Sequence, residues 1–245
     1  MFDPPKPPWT HLGKSIESKV RKALHTFSLL DGVDQIAVAL SGGKDSLTLL
    51  FILHSILGKG LEKIPLSAIH VSGSVSCGAS FEEKRLRQIC KQLQVPFYVQ
   101  HSSLEGTRPK CYTCSRERRR LLFEQAKQIG CSFLAFGHHK DDAISTLLLN
   151  VLHKAEFASM LPKIFMEKYG VTILRPLFYL EEEEIRRFAQ QQNFQTITCK
   201  CPVASTSKRA ETKEIVSYLE RSFPRARSNL FLAGLQYGSK KALQP

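Results

Sequence analysis

Short apolar runs alternate with longer helical segments along most of this chain of 245 residues. Apolar residues recur at helical spacing across 16–30, and Asp31-Gly32 then breaks the pattern. Because right-handed crossovers place helices on both faces of a parallel sheet, the alternation predicts a doubly wound α/β fold. The predicted strands are at 36–40, 66–71, 96–99, 133–136 and 171–174, and predicted helices at 45–57, 81–93, 115–129 and 141–152 separate them.

These elements divide the chain into three predicted parts. A basic helical segment at 1–32 precedes a central α/β domain at 33–180, and a helical extension follows at 181–245. The glutamate run at 181–184 is typical of the charged start of a helix, and we assign it no catalytic role. Ligands of an open parallel sheet bind at the carboxyl ends of its strands, so functional residues are expected in the loops that follow them. Further helices are predicted at 181–192 and 211–221.

The chain is strongly basic, with 35 Lys and Arg against 22 Asp and Glu and a formal net charge of +13. This balance suits a polyanionic partner, above all a nucleic acid, although a basic surface also aids solubility. No stretch approaches the roughly 20 apolar residues of a membrane span. Residues 1–12 carry prolines without the apolar core of a secretory signal, which predicts a cytoplasmic protein with no membrane attachment. The positive charge is concentrated at 14–22, 116–120, 186–187 and 208–227.

A glycine-rich loop follows the first predicted strand directly and leads into a helix. Its sequence, Ser-Gly-Gly-Lys-Asp-Ser, lets the backbone approach a phosphate at the positive end of that helix, and the lysine and both serines add donors. Asp45 is expected to hold Mg²⁺ or to act on the loop. The spacing is not the Walker pattern, which disfavours a kinase or a switch GTPase, and a plain turn with a capping serine is the alternative. The loop consists of Ser41, Gly42, Gly43, Lys44, Asp45 and Ser46.

A second loop, Gly-His-His-Lys-Asp-Asp at 137–142, follows the predicted strand at 133–136 and opens the next helix. Its adjacent carboxylates can bind Mg²⁺ and also favour the start of a helix. His138 or His139 could be a zinc ligand or a proton carrier, but histidines beside aspartates are more often hydrogen-bonded structure. A zinc hydrolase would need further ligands, and the neighbouring sequence supplies none.

Seven cysteines in a chain without an export signal do not suggest a disulfide framework. Cys111 and Cys114 form a Cys-x-x-Cys pair that is predicted to end a loop just before the basic helix at 115–129, where the helix end lowers thiol pKa. Cys199 and Cys201, the latter followed by proline, supply further thiols. Three or four thiolates suit Zn²⁺ or an iron–sulfur cluster; a redox pair and incidental cysteines are the alternatives. Two others, Cys90 and Cys131, are predicted to be buried, and Cys77 stays unassigned.

The glycine-rich loop resembles the signature of the PP-loop ATP pyrophosphatases, which cleave ATP between the α and β phosphates and leave AMP on the substrate. The second loop resembles the second motif of PP-loop tRNA-modifying enzymes. With the Cys-x-x-Cys pair, Arg175-Pro176-Leu177 and a late cysteine, the order of motifs from about 12 to 235 is similar to that of the tRNA 2-thiocytidine synthetases. The resemblance makes 33–180 a PP-loop ATP-binding domain and gives the extension the third cluster cysteine.

The resemblance implies ATP, Mg²⁺ and a [4Fe-4S] cluster as cofactors. Lys44 and Asp45 would be catalytic, with the leaving pyrophosphate on their loop. Cytidine O2 in a tRNA anticodon loop would be adenylated, and sulfide would replace it to give 2-thiocytidine. The remaining implied site residues are Gly137 and Asp142 at the ATP, His70 and Val71 near the adenine, and the cluster ligands Cys111, Cys114 and Cys201, with Cys199 as the alternative third ligand.

The resemblance also implies partners and rivals. tRNA is the expected substrate, with phosphate contacts from the arginines of 116–120, and a sulfur donor such as a cysteine desulfurase is expected; a homodimer is left open. A 2-thiouridine synthetase usually carries paired zinc-binding cysteines at both ends, which this chain lacks, and a lysidine synthetase needs none of the cysteines. A noncatalytic RNA-binding or redox-sensing module is the alternative from another class, against which the intact Lys44, Asp45 and Asp142 argue.

Overall fold

The computed structural model describes residues 4–73, 79–102, 111–194 and 208–238. Helices and strands alternate through the first two thirds of the chain, and helices follow. The helices are α1 (His11–Thr26), α2 (Lys44–Ile56), α3 (Ala79–Gln92), α4 (Cys111–Gln128), α5 (Lys140–Lys154), α6 (Glu182–Gln191), α7 (Lys208–Ser222) and α8 (Ala226–Tyr237). The strands are β1 (Ile36–Ala39), β2 (Leu66–Gly73), β3 (Phe97–Ser102), β4 (Phe133–Ala135), β5 (Lys163–Met166) and β6 (Val171–Leu174).

The strands form one sheet in the order β3-β2-β1-β4-β6-β5. All neighbours are parallel except β5, which runs antiparallel to β6. The predicted doubly wound α/β fold is therefore confirmed, with one strand more than the sequence predicts. β5 has an apolar run of only three residues, at 164–166, and lies at the edge of the sheet, where Phe165 is 59% exposed.

Helices cover both faces of the sheet. Successive residues of a strand point to opposite faces, so Ile36 and Val38 pack on one side while Ala37 packs on the other. The first side also takes Val20 of α1 and Phe188 of α6, and the second takes helix α4. This burial on both faces explains why the central strands read as short, continuous apolar runs.

The terminal helices pack directly on the α/β part. Helix α1 contacts α2 and α6 through fully buried side chains such as Ile16. Helices α7 and α8 pack on α5, where Val216 and Phe231 join Ile144 in one apolar cluster. The predicted division of the chain at 32 and 180 stays a prediction. Within the described ranges no helix is both long and apolar enough to cross a membrane.

The strand order places a crevice between β1 and β4. The chain leaves β1 towards β2 on one side, whereas β4 lies on the other side and continues towards β6 and β5. The loops after β1 and β4 therefore diverge at the carboxyl edge of the sheet, which is the position where open α/β sheets bind ligands. The two sequence motifs at 41–46 and 137–142 occupy these two loops.

Candidate active site

The loop after β1 wraps around the first turn of α2. Gly42 has a φ of +83°, which a residue with a side chain rarely adopts, and Gly43 begins the helix. The hydroxyl oxygens of Ser41 and Ser46 lie 3.0 Å apart, and the backbone N–H of Ser41 donates to the Ser46 hydroxyl at 3.2 Å. The serines thus close the loop on itself. Because Gly43 has no side chain to cap α2, the first-turn amides of the helix are directed at whatever anion binds there.

Lys44 lies between two carboxylates. Its Nζ is 3.1 Å from Asp45 Oδ1 and donates to Glu182 Oε1, at the start of α6, over 3.0 Å. Burial alone would lower the pKa of Lys44, but the charges of Asp45 and Glu182 outweigh it and the pKa is raised. The lysine is therefore held as a cation at the mouth of the loop.

The second loop touches the first through main-chain atoms. A Cβ added to Gly137 would lie 2.9 Å from the carbonyl carbon of Asp45 and 3.0 Å from the backbone nitrogen of Ser46. Such distances leave no room for a side chain. Gly137 thus brings the loop after β4 directly against the start of α2, and this contact explains the glycine without any unusual backbone angle.

His139 gathers carboxylates from both loops. Its ring nitrogens lie 3.9 Å from Asp45 Oδ1, 3.5 Å from Asp141 Oδ2 and 3.4 Å from Asp142 Oδ2. Burial lowers the pKa of this histidine, but the three carboxylates outweigh burial and the pKa is raised. Asp45 Oδ1 is buried, and among the described residues no group donates it a well-directed hydrogen bond.

The two adjacent aspartates have different surroundings. Asp141 Oδ2 accepts the backbone N–H of Glu182 at 2.8 Å, and Asp141 Oδ1 accepts from the guanidinium of Arg227 on α8. Burial would raise the pKa of Asp141, but His139, the Glu182 amide and Arg227 lower it to about 2. Asp141 therefore ties α5 to α6 and α8. Asp142 accepts the backbone N–H of His139 at 3.1 Å and, like Asp45 of the first loop, faces Nε2 of His139.

His138 packs against neighbouring side chains of the protein. Its ring stacks on Phe136 with centroids 5.4 Å apart, and the guanidinium of Arg175 donates to its Nδ1 at 3.4 Å. Arg175 also donates to the Leu161 carbonyl, and burial lowers its pKa to about 10.

Within the described ranges, no group of three or more His, Cys, Asp or Glu side chains is arranged to hold a metal. A Mg²⁺ ion at Asp45 and Asp142 would therefore need phosphate oxygens to complete its ligands, which is its usual habit in nucleotide sites.

His70 and Val71 lie towards the carboxyl end of β2, beside the first loop. His70 is buried, its Nδ1 bonds to the Leu40 carbonyl at 2.8 Å, and its ring stacks on Phe97. Since a carbonyl only accepts, Nδ1 carries the hydrogen and Nε2 is left as an acceptor. Burial lowers the pKa of His70, which favours this neutral form.

The structure corrects the predicted start of the cysteine-bearing helix. α4 begins at Cys111 rather than at 115, so both cysteines belong to its first turn and not to a loop. The sequence from 110 to 115 contains no glycine or proline, so a helix can start at Cys111. Cys114 is free and half-buried. Cys77, Cys199 and Cys201 lie outside the described residues.

The structure also shows the burial of Cys90 and Cys131 and the contacts of the α4 arginines. Cys90 and Cys131 are buried, as predicted, and burial raises the pKa of Cys90 to about 12. Arg120 forms ion pairs with Glu117 and Glu124 on its own helix, with closest distances of 2.7 and 2.6 Å. Its charge is thus balanced locally, whereas Arg116 and Arg119 are exposed.

Sequence reasoning missed two contacts with the first loop. Glu182 belongs to the glutamate run that the sequence reads as the start of a helix, which it is, but this one member also binds Lys44. Arg85 on α3 donates to the Gly42 carbonyl at 3.3 Å. A signal existed for Glu182, because its helix follows β6 and so begins at the same edge of the sheet as the loop.

Replacing Gly137 with alanine is expected to separate the two loops. The added methyl group meets main-chain atoms, so the backbone must shift, at an expected loss of about 1–3 kcal/mol in the free energy of unfolding. Urea unfolding measures this directly. Gly43→Ala is the contrast, because its added Cβ has only the Ser41 hydroxyl at 3.5 Å and should leave stability nearly unchanged. Equal stability of both variants would contradict the close contact.

Fold and site together define a class: a PP-loop nucleotide-binding domain. The family model of the PP-loop domain matches residues 12–200. A tRNA-cytidine(32) 2-sulfurtransferase from Citrifermentans bemidjiense is 35% identical over 225 residues, which cover 89% of this chain and 88% of that protein. One from Coxiella burnetii is 31% identical over 233 residues and covers 90% of each chain. The chain belongs to the PP-loop family that contains these 2-sulfurtransferases.

A solved structure supports the fold. The U34-tRNA thiolase NcsA from Methanococcus maripaludis, determined with its [4Fe-4S] cluster, superposes with a TM-score of 0.74 over 96% of this chain and 86% of that one. The sequence identity is 23%, so the likeness concerns the arrangement of helices and strands.

Proposed function

We propose that this protein is a tRNA sulfurtransferase that converts a cytidine of the anticodon loop, position 32 in the names of its relatives, to 2-thiocytidine. ATP is consumed and gives AMP and pyrophosphate. The observation that carries the proposal is the meeting of the 41–46 and 137–142 loops across the β1/β4 crevice, in a chain 35% identical to a tRNA-cytidine(32) 2-sulfurtransferase over nearly its whole length.

The chain's own residues suit adenylation. The 41–46 loop would take the β and γ phosphates with its backbone amides, serine hydroxyls and Lys44. The adenine would lie towards His70 and Val71, where Nε2 of His70 can accept a hydrogen bond from the adenine amino group. Gly137 and Asp142 would border the nucleotide from the other side of the crevice.

The proposed first step transfers AMP to cytidine O2. This oxygen attacks the α-phosphorus, a new O–P bond forms, and the bond from the α-phosphorus to the bridging oxygen of pyrophosphate breaks. Lys44 offsets the negative charge that develops on the leaving group. The step makes O2 a good leaving group, since it departs from C2 as part of AMP when sulfur replaces it.

Mg²⁺ fits the carboxylates of Asp45 and Asp142. The two come from different loops, both lie within 4 Å of the same imidazole, and one Asp45 oxygen is buried without a well-directed donor among the described residues. When bound, the ion would neutralise phosphate charge. The two aspartates would orient it between the loops.

Cys111 and Cys114 fit two ligand positions of an iron–sulfur cluster. They are three residues apart in the first turn of α4, the spacing of neighbouring positions on a helix surface, and Cys114 is free. We propose Cys201 as the third ligand, with Cys199 as the alternative. When bound, the [4Fe-4S] cluster would hold the sulfur that replaces O2. A sulfur donor such as a cysteine desulfurase would supply it.

The proposal extends to partners and place. The net charge of +13 and the exposed Arg116 and Arg119 near the cysteines suit tRNA phosphates. A protein with this substrate would work in the cytoplasm.

We also propose a homodimer, because α7 and α8 expose apolar side chains that a second copy could cover. These are Tyr218, Leu232 and Tyr237, each more than half exposed.

The test is thiolation of a defined tRNA. We expect protein purified without oxygen to convert a transcript with cytidine at position 32 to 2-thiocytidine when given ATP, Mg²⁺ and sulfide, with one pyrophosphate per thiolated base. Mass spectrometry of the digested nucleosides reports the product, and a transcript with uridine at that position is the matched control. Formation of 2-thiouridine instead would show that the base is wrong. No pyrophosphate with any tRNA would indicate a noncatalytic module.

A further inference from the structure

Four side chains of alternating charge run from the 41–46 loop to helix α7. Asp45 contacts Lys44, Lys44 contacts Glu182 at 3.0 Å, and Lys213 of α7 donates to the other oxygen of Glu182 at 2.5 Å. Each carboxylate oxygen of Glu182 therefore takes one lysine. The start of α6 is fixed independently, because the Glu182 backbone N–H donates to Asp141.

Glu182 is poised to compete with phosphate. An ammonium group has three N–H donors, and Lys44 directs two of them at carboxylates, one at Asp45 and one at Glu182. A pyrophosphate that binds the loop must draw Lys44 away from Glu182 or share it with Glu182. Burial would raise the pKa of Glu182, but Lys213 and Lys44 lower it, so the competing group keeps its negative charge.

We propose that Glu182 is a positioning residue that sets how strongly the loop holds pyrophosphate, by retaining Lys44 in the nucleotide-free site and taking it back as pyrophosphate leaves. Lys213 adjusts this competition, because it occupies the second oxygen of Glu182 and draws its charge away from Lys44. This inference rests on the proposed function, since it assumes that the loop binds the phosphates of ATP.

Two substitutions have opposite expected effects on one measurement. Glu182→Gln removes the competing charge, so the full chain should bind Mg·pyrophosphate about fivefold more tightly, the order expected for one unit charge at a partly exposed site. Lys213→Met leaves Glu182 to Lys44 alone, so binding should weaken about twofold to fivefold. Titration calorimetry measures both. AMP, which lacks the β and γ phosphates, should bind all variants equally.

Neighbouring residues provide matched controls. Glu183→Gln removes the next carboxylate of the same helix, which is exposed and pairs with Arg186. Lys208→Met removes the same charge as Lys213→Met from the same helix, but Lys208 pairs with Glu211. Both controls should bind pyrophosphate as the native chain does, and thermal unfolding verifies that every variant is folded.

The double variant Glu182→Gln/Lys213→Met tests whether Lys213 affects pyrophosphate binding through Glu182. If Lys213 acts through Glu182, the double variant binds pyrophosphate as tightly as Glu182→Gln alone. If Lys213→Met weakened pyrophosphate binding by the same factor in the native chain and in Glu182→Gln, Lys213 would attract pyrophosphate directly. That result would overturn the inference. So would weaker or unchanged binding by Glu182→Gln. A native chain that binds no pyrophosphate would overturn the proposed phosphate site itself, and the inference with it.

Discussion

Replacing Lys44 with methionine is expected to lower the rate of pyrophosphate release on tRNA by about 100-fold or more, the size found when one group that stabilises transition-state charge is removed. Methionine keeps most of the stem of the side chain but has no donor for the leaving pyrophosphate. Asp45 and Glu182 then face each other without the cation between them, which disfavours an incoming polyanion as well. Single-turnover release of labelled pyrophosphate measures the effect.

Lys19→Met is the matched control. Lys19 also pairs with a glutamate of α6, Glu184, at 2.6 Å, but it lies on α1 and, among the described residues, makes no hydrogen bond or ion pair with the loop. It should release pyrophosphate at the native rate. If Lys44→Met kept more than about a tenth of the native rate, charge stabilisation by this lysine would be a minor contribution and the proposed role would be wrong.

Replacing Cys114 with serine is expected to abolish thiolation while single-turnover adenylation of tRNA continues. A serine oxygen is a poor substitute for the soft thiolate that iron–sulfur clusters require. The variant should therefore lose its iron, its sulfide and its broad absorption at about 400 nm, which is typical of such clusters. The two activities should separate because the proposed ATP-binding loop is built from other elements of the fold.

Thr113→Ala is the control for this change, because Thr113 is exposed on the same helical turn and carries no ligand atom of this kind. It should retain iron, colour and thiolation. The same measurements on Cys199→Ser and Cys201→Ser identify the third ligand, which we expect to be Cys201. Colourless native protein that contains stoichiometric zinc would contradict the cluster. Thiolation would then require another sulfur carrier.

Most of the fold was predictable because its central strands are buried on both faces. β6 matches its prediction residue for residue, β1, β2 and β4 match within two residues at each end, and β3 begins one residue and ends three residues later than predicted. β5 was not predictable in the same way, since it is an edge strand whose three apolar residues at 164–166 are only partly buried. No helix was predicted at α8 for a related reason, because it packs a few side chains on α5 and α7 and exposes Leu232 and Tyr237.

The candidate site was predictable where neighbours in sequence are neighbours in space. The 41–46 and 137–142 motifs each lie in one loop, so their residue types and spacing could be interpreted directly. Glu182 was missed although its helix follows β6, because its partner Lys44 is far away in sequence and the glutamate run has a sufficient local explanation in the start of a helix. The different surroundings of Asp141 and Asp142 likewise depend on Arg227, which only the packing of α8 supplies.

The contact at Gly137 bears on how such a site can change. The approach between the two loops is made by Gly137 and by the backbone of Asp45 and Ser46, so the gap across the crevice is set by main-chain atoms. Side chains elsewhere on either loop can then be exchanged without widening that gap. A protein built in this way can acquire a new target base through substitutions at the rim of the crevice while the machinery for splitting ATP keeps its dimensions.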